Sequence, residues 1–202
     1  MRYIYFLLIP FLLLALFASA SPFFSIDLTI SHAIQNIHQS NFDLIMKAVS
    51  SIGNGRAMPF AAISIVSLVA LLNFKLEAVY LFLSSVTSFF AASLAKTLIN
   101  RPRPDDGLVL IYKQLADKSF PSSHAITYTV IFGFLFFVTL KKLKPSILKY
   151  SILGVSAFLI LTVGLSRIYL GAHWASDVLG GYLFGAFWLL ITVNMYQAHV
   201  QR

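Results

Sequence analysis

Residues 120–140 read FPSSHAITYTVIFGFLFFVTL, and Lys141, Lys142 and Lys144 follow directly. From Ala125 to Leu140 the stretch carries no charged side chain. At its start a Pro, two Ser and a His stand together, and at its end a short lysine cluster. An apolar run of this length, bounded by polar groups, suits a helix crossing a bilayer, which needs about 20 residues for the hydrocarbon core. The composition of the whole chain agrees. Of its 202 residues 58% are hydrophobic and 11% charged, with a mean hydropathy of +0.82. Soluble domains carry about 25% charged residues. A soluble globular protein is therefore excluded.

Working outward, further apolar runs cover Tyr3–Ala20, Ala57–Leu72, Leu76–Ile99, Ile147–Leu165 and Val178–Tyr196. Lipid is crossed by helices or closed barrels, and runs this long and apolar mean helices. The expectation is an all-α, polytopic membrane bundle of about six transmembrane helices, read as a single domain over 1–202, with no room for a separate soluble one. Arg2, the first run and Ala18-Ser19-Ala20 also resemble a signal peptide with a small-residue cleavage site. Either reading places residue 21 across the membrane.

Between the first two runs, Ile26, Ile30, Ala33, Ile34 and Ile37 recur at helical spacing, with Asp27, Ser31, His32, Gln35 and His38 elsewhere. Leu44, Ile45, Ala48, Val49 and Ile52 form a second such pattern, with Asn41 as its expected N-cap and Gly53 as its stop. Both helices are too short and polar to cross, so they belong at the interface or over the bundle.

The chain has 15 Lys+Arg against 7 Asp+Glu, for a formal charge of +8. No basic stripe lies on a soluble domain, which argues against nucleic acid and for anionic lipid headgroups or phosphate. With the N-terminus inside, Arg2, Lys75, Lys141, Lys142, Lys144, Lys149 and Arg202 face the cytoplasm. Lys47, Arg56, Lys96, Arg101, Arg103, Lys113, Lys118 and Arg167 lie at the outer ends. The acid-free cluster Lys141–Lys144 is the best indicator of orientation. Cysteine is absent, which excludes disulfides and Cys-based metal sites.

Three polar clusters fall at the outer ends of the spans. In Lys96–Pro104 a lysine sits in an apolar helix end, where charge is costly. Arg101 and Arg103 each precede a Pro, so the helix ends near Asn100 and the chain leaves it extended. Arg103 can then turn back toward Lys96, and two such cations repel unless an anion lies between them. Snorkelling side chains are the bland alternative. In Pro121–His124, Ser122 or Ser123 suits an N-cap, whose free N–H groups and dipole favour phosphate, and His124 can donate a proton. A simple cap beside an interfacial His is the alternative. In Ser166–Asp177, His173 and Asp177 are spaced i, i+4 and would share a helix face. The carboxylate would then fix the imidazole tautomer, leaving the other nitrogen as nucleophile or base, while Arg167 offers a bidentate phosphate ligand. A polar helix–helix contact is the alternative. Together these groups suit metal-free phosphoryl transfer. Zinc fits poorly, with two distant His, one Asp and no Cys.

The clusters also carry a resemblance. Lys96–Pro104 fits K-x6-R-P, Pro121–His124 fits P-S-G-H except at Ser123, and Ser166–Asp177 fits S-R-x5-H-x3-D. In this order the chain resembles the type 2 phosphatidic acid phosphatases, of the superfamily shared with vanadium haloperoxidases and bacterial acid phosphatases. The motifs span residues 96–177. The resemblance implies that Lys96, Arg103 and Arg167 hold phosphate oxygens, with Ser122 and the backbone N–H groups near Ser123 and His124 completing the cradle. It implies that His173 attacks phosphorus to form a phosphohistidine, that Asp177 orients it, and that His124 protonates the leaving oxygen. It implies no metal or other cofactor, and an active site facing the periplasm or outside of a bacterial inner membrane. Ser123 departs from the pattern's glycine, and a cradle of ordinary torsions with Ser123 Oγ as an extra donor is the expectation.

The function so implied is an integral membrane lipid phosphatase acting on a phosphomonoester or terminal diphosphate. Undecaprenyl diphosphate, phosphatidylglycerophosphate, phosphatidic acid and lipid A phosphates are the candidate substrates. Its partners are the phosphorylated lipid and the bilayer, with no nucleic acid and no obligate protein. A lipid-to-lipid phosphotransferase using the same site is one alternative, and a small anion transporter another.

Overall fold

The computed structural model describes residues 5–37, 39–55 and 57–201. Arg2, Tyr3, His38, Arg56 and Arg202, used in the reading of spans and charge, lie outside them. The described chain is all helical: α1 (Tyr5–Ala20), α2 (Ser25–Gln35), α3 (Ser40–Ile52), α4 (Ala57–Leu71), α5 (Lys75–Ile99), α6 (Ser123–Lys142), α7 (Ile147–Tyr169) and α8 (Ala175–Val200). Helices α5 to α8 are each long and apolar enough to cross a membrane. Helix α1, with 16 residues, rises only about 24 Å. It passes as a span together with α2, which bends from it by 94°, and α4 does so together with α3. The count is thus four to six spans, a multi-pass integral membrane protein.

Local chemistry explains the breaks. Asn100 ends α5 in the left-handed region at φ 56°, and the two X-Pro steps after it keep the chain extended. Lys144-Pro145 separates α6 from α7, and Ser146 caps α7 by accepting from the Lys149 N–H at 3.2 Å. Helices α2 and α8 start alike. Asp27 and Asp177 each stand at N3 and accept the N–H of an aromatic N-cap, Phe24 at 3.0 Å and Trp174 at 2.9 Å. Helix α3 begins after Gln39, not at the expected Asn41, which sits inside the first turn. Gly53 ends it as expected.

Helix α6 is the centre, packed on α5, α7 and α8. Phe120, Ile126 and Val130 meet Phe11 and Phe184, while Ile131, Phe134 and Val138 meet Leu81 and Tyr196. Without a hydrophobic drive between helices in lipid, close approach comes from small residues. On α8, Gly181 and Gly185 supply it: a Cβ on Gly185 would lie 2.9 Å from Thr129 Cβ and 3.1 Å from the Ile126 backbone. Outward-facing Leu71, Leu98 and Leu161 are strongly exposed, as suits side chains in contact with acyl tails.

The short outer helices lie over the bundle, α2 on α7 and α8, and α3 on α7 and α4. Helix α2 turns its polar stripe inward: Asp27, Ser31 and Gln35 are buried, and Ile26 is exposed. This inversion is affordable because the stripe is hydrogen-bonded. The Gln35 amide donates to Leu110 O at 2.9 Å and Tyr169 O at 3.0 Å and accepts from Leu110 N at 3.0 Å. In α3 the buried face is Met46, Val49 and Ser50, so Leu44, Ile45 and Ala48 of the expected stripe face outward.

At the opposite end, Tyr196 OH donates to Glu77 at 2.6 Å and Lys142 pairs with Glu77 at 3.1 Å, joining α5, α6 and α8. Gly185→Val is expected to destabilise the bundle by about 1–3 kcal/mol through overpacking. Gly154→Ala, where a Cβ meets nothing within 4 Å, should change little. Thermal unfolding of the purified variants in detergent checks both.

Candidate active site

The C-terminal ends of α5 and α7 and the N-terminal ends of α6 and α8 bring the three polar clusters together. Lys96, Arg103, Ser123, His124, Arg167 and His173 line one cavity of about 620 Å³. Ser122 is fully buried beside it as the N-cap of α6, and its N–H is taken by Asp177 O at 3.0 Å. Among the described residues its Oγ has no hydrogen-bond partner, and neither has Arg167 Nε. Two buried donors left unpaired are costly in a finished core and suit an anion-binding site. Ser123 opens α6 with helical backbone, so no glycine torsion is required there. The ordinary torsion expected at Ser123 is thus the one observed.

His173 lies in the turn before α8, so it does not share a helix face with Asp177 as the spacing predicted. The chain brings them together another way. Asp177 Oδ2 is 3.6 Å from His173 Nδ1, beyond a good hydrogen bond. Ser119 Oγ bridges the gap, donating to Asp177 Oδ2 at 2.5 Å and lying 3.4 Å from His173 Nδ1. On the other side, Arg103 NH1 stands 3.2 Å from His173 Nε2 and also donates to Ala172 O. Arginine only donates, so Nε2 accepts and the ring proton belongs on Nδ1. Burial, and then the cations Arg103, Lys96 and Arg167, push the His173 pKa well below its ordinary value. The imidazole is therefore neutral, with its Nε2 lone pair turned to the cationic end of the cavity.

His124, at the start of α6, places Nε2 3.2 Å from Asn54 Oδ1 in the turn after α3. Gly53 makes room for it: a Cβ there would lie 2.3 Å from His124 Cδ2. Arg167 NH1 donates to Ser50 Oγ at 2.5 Å, so α3 touches both groups.

Four residues escaped the sequence reading as site members: Ser119, described above, and Asp117, Arg101 and Asp27. Asp117 places one oxygen 3.0 Å from Lys96 and the other 2.6 Å from Arg103. Burial alone would raise its pKa, but Lys96 and Arg103 outweigh that and hold it below the usual carboxylate range. Arg101 is wholly buried, with NH1 on Asp177 at 2.7 Å and NH2 on Asp27 at 3.1 Å. Asp27 also accepts from Ser176 N and Ser176 Oγ, each at 2.8 Å. The Arg-Pro-Arg-Pro spelling drew attention to both arginines but could not say that one faces the cavity and the other a buried carboxylate pair.

From its polar end the cavity continues as an apolar slot between α4 and α5. Ala62, Ile63 and Val66 face Phe82, Val86 and Phe89 across it. Phe82 lies about 20 Å along α5 from Lys96 at the helical rise. The cavity can hold a phosphate at one end and a hydrocarbon chain along the other.

The family model for the PAP2 superfamily matches residues 77–201. The chain belongs to this superfamily. A phosphatidylglycerophosphatase B of Bacillus subtilis (strain 168) is 30% identical over 95% of this chain and 93% of its own length. A lipid A 1-phosphatase of Rhizobium etli is 32% identical over 58% of this chain, and the match spans 49% of that relative. The crystal structure of a transmembrane PAP2-type phosphatidylglycerolphosphate phosphatase from Bacillus subtilis superposes with a TM-score of 0.82 at 23% identity, covering 98% of both chains. The fold is thus that of PAP2 membrane phosphatases. The superfamily match begins at Glu77, so Asp27, which holds Arg101 from α2, lies outside it.

Removing one member of a buried ion pair leaves an uncompensated charge, at about 3–5 kcal/mol. Arg101→Met is expected to destabilise the protein by that amount, and adding Asp27→Asn should recover part of it. A double-mutant cycle from unfolding in detergent measures the coupling.

Proposed function

We propose that this protein is an integral membrane lipid phosphatase that removes a phosphomonoester or terminal diphosphate from a lipid. One observation carries the reading: a single cavity joins three cations and two histidines to an apolar slot about 20 Å long. A soluble phosphate ester has no use for the slot, and a purely structural polar cluster has no use for unpaired buried donors.

In the proposed reaction Lys96, Arg103 and Arg167 hold the nonbridging oxygens, with Ser122 Oγ and Ser123 at the start of α6. His173 Nε2 attacks phosphorus, and the bond to the lipid oxygen breaks. His124 gives that oxygen a proton, then takes one from the water that releases phosphate from His173. Asp177, through Ser119, keeps the Nδ1 proton of His173 in place and stabilises the positive ring as it forms. Positive charge comes from side chains, so no metal is needed for this chemistry.

The slot supports a lipid substrate, as do relatives named for phosphatidylglycerophosphate and lipid A. Undecaprenyl diphosphate and phosphatidic acid fit the same geometry. Lys75, Lys141, Lys142, Lys144 and Lys149 at the opposite end favour a cytoplasmic location for that end. The site would then face the periplasm or outside of a bacterial inner membrane. Transfer of the phosphate to a second lipid would use the same covalent step.

Phosphate release from a panel of these lipids in detergent, with EDTA throughout, tests the proposal. Activity should survive EDTA, and His173→Ala should lower turnover by about a thousandfold or more. Loss of activity in EDTA, or wild-type turnover in the variant, would sink the mechanism.

A further inference from the structure

Resting on the phosphatase reading, we infer that Asp117 is a built-in competitor for the substrate phosphate and must rotate away before the phosphate can seat. Its carboxylate spans Lys96 and Arg103, one oxygen on each, at 3.0 and 2.6 Å. These are the two cations that the phosphate would need, and Asp117 lines the same cavity. Two cations brought together in an apolar surrounding call for an anion between them, and here the chain supplies its own.

The same contact acts on the nucleophile. With NH2 on Asp117, Arg103 directs NH1 to Ala172 O and to His173 Nε2 at 3.2 Å. A donor on Nε2 occupies the lone pair that would attack phosphorus. One carboxylate thus fills the anion position and fixes the guanidinium that covers the nucleophile.

The latch is free to open. The Asp117 side chain is 58% exposed, whereas Lys96 and Arg103 are 9% and 12% exposed. The backbone is held by further contacts of the same two cations, Arg103 Nε donating to Asp117 O at 2.8 Å and Lys96 Nζ donating to Lys118 O. Release therefore requires a side-chain rotation with the loop in place. A phosphate dianion can outcompete a single carboxylate because it carries more charge and also reaches Arg167 Nε and Ser122 Oγ, which have no partner among the described residues. After hydrolysis the carboxylate would compete with inorganic phosphate for the same two cations.

The competitor reading has an unusual sign. A group that merely held Lys96 and Arg103 in place would weaken anion binding when neutralised. A competitor would strengthen it, because apparent affinity scales with the fraction of open sites. The test titrates inorganic phosphate and orthovanadate into the full chain purified in detergent, comparing wild type with Asp117→Asn and Asp117→Ser by calorimetry. Tightening of both anions by about tenfold in the variants, with a parallel fall in KM for a lipid substrate, is expected. Unchanged or weaker binding in both variants overturns the inference, as does failure of any of the proteins to bind either anion. Lipid turnover by the wild type is the separate arm. Its absence would count against the phosphatase reading, while normal turnover with weaker anion binding by the variants would refute the competitor alone.

Discussion

The structure depends on one buried guanidinium. Arg101 lies between Asp27 and Asp177, with no exposure of any of the three side chains. Both carboxylates stand at N3 of a helix, where each already accepts the first free N–H. Their shared cation locks the starts of α2 and α8 to the exit of α5. Desolvating such charges costs several kcal/mol each, so every remaining lone pair must be used. Ser176 and Ser119 use them. The position of Asp177, and through Ser119 that of His173, follows from this arrangement. Its role is geometric specificity more than net stability.

Around that anchor the membrane does the sorting. Charges at a helix end in lipid persist only where they are paired or face a polar cavity. Lys96, Arg103 and Arg167 satisfy the condition at the outer end, and Glu77 with Lys142 and Tyr196 at the other. The outer helices then roof the site, Asn54 and Ser50 reaching His124 and Arg167 from α3 and its turn. Within the bundle one cavity joins this polar end to an apolar slot between α4 and α5.

Much of this was legible in the chain itself. Apolar runs bounded by Lys, Pro or Gly marked every long helix to within a few residues, because a membrane imposes one length and one polarity. The cations and histidines were legible because charge in an apolar helix end is conspicuous. Helix faces were harder. In α2 the hydrophobic pattern was real, with Ile30 and Ile34 packed against the bundle, yet the fully buried positions are Asp27, Ser31 and Gln35, because the bundle offers them hydrogen-bond partners. The i, i+4 spacing of His173 and Asp177 does not put them on one helix face, because α8 starts at Ala175, and the two meet at 3.6 Å through Ser119. Asp117, Ser119 and Arg101 left no periodic signal: a loop carboxylate, a loop serine and an arginine before proline acquire meaning only when distant segments meet.

The proposed chemistry turns on attack at phosphorus by His173 Nε2. The direct measurement is rapid-quench labelling with a lipid carrying a radioactive phosphate, stopped in alkali and followed by peptide mapping. The account predicts an alkali-stable, acid-labile label on the peptide containing His173, appearing and decaying at rates that match turnover. A label on another residue, or full turnover with none on His173, would contradict it.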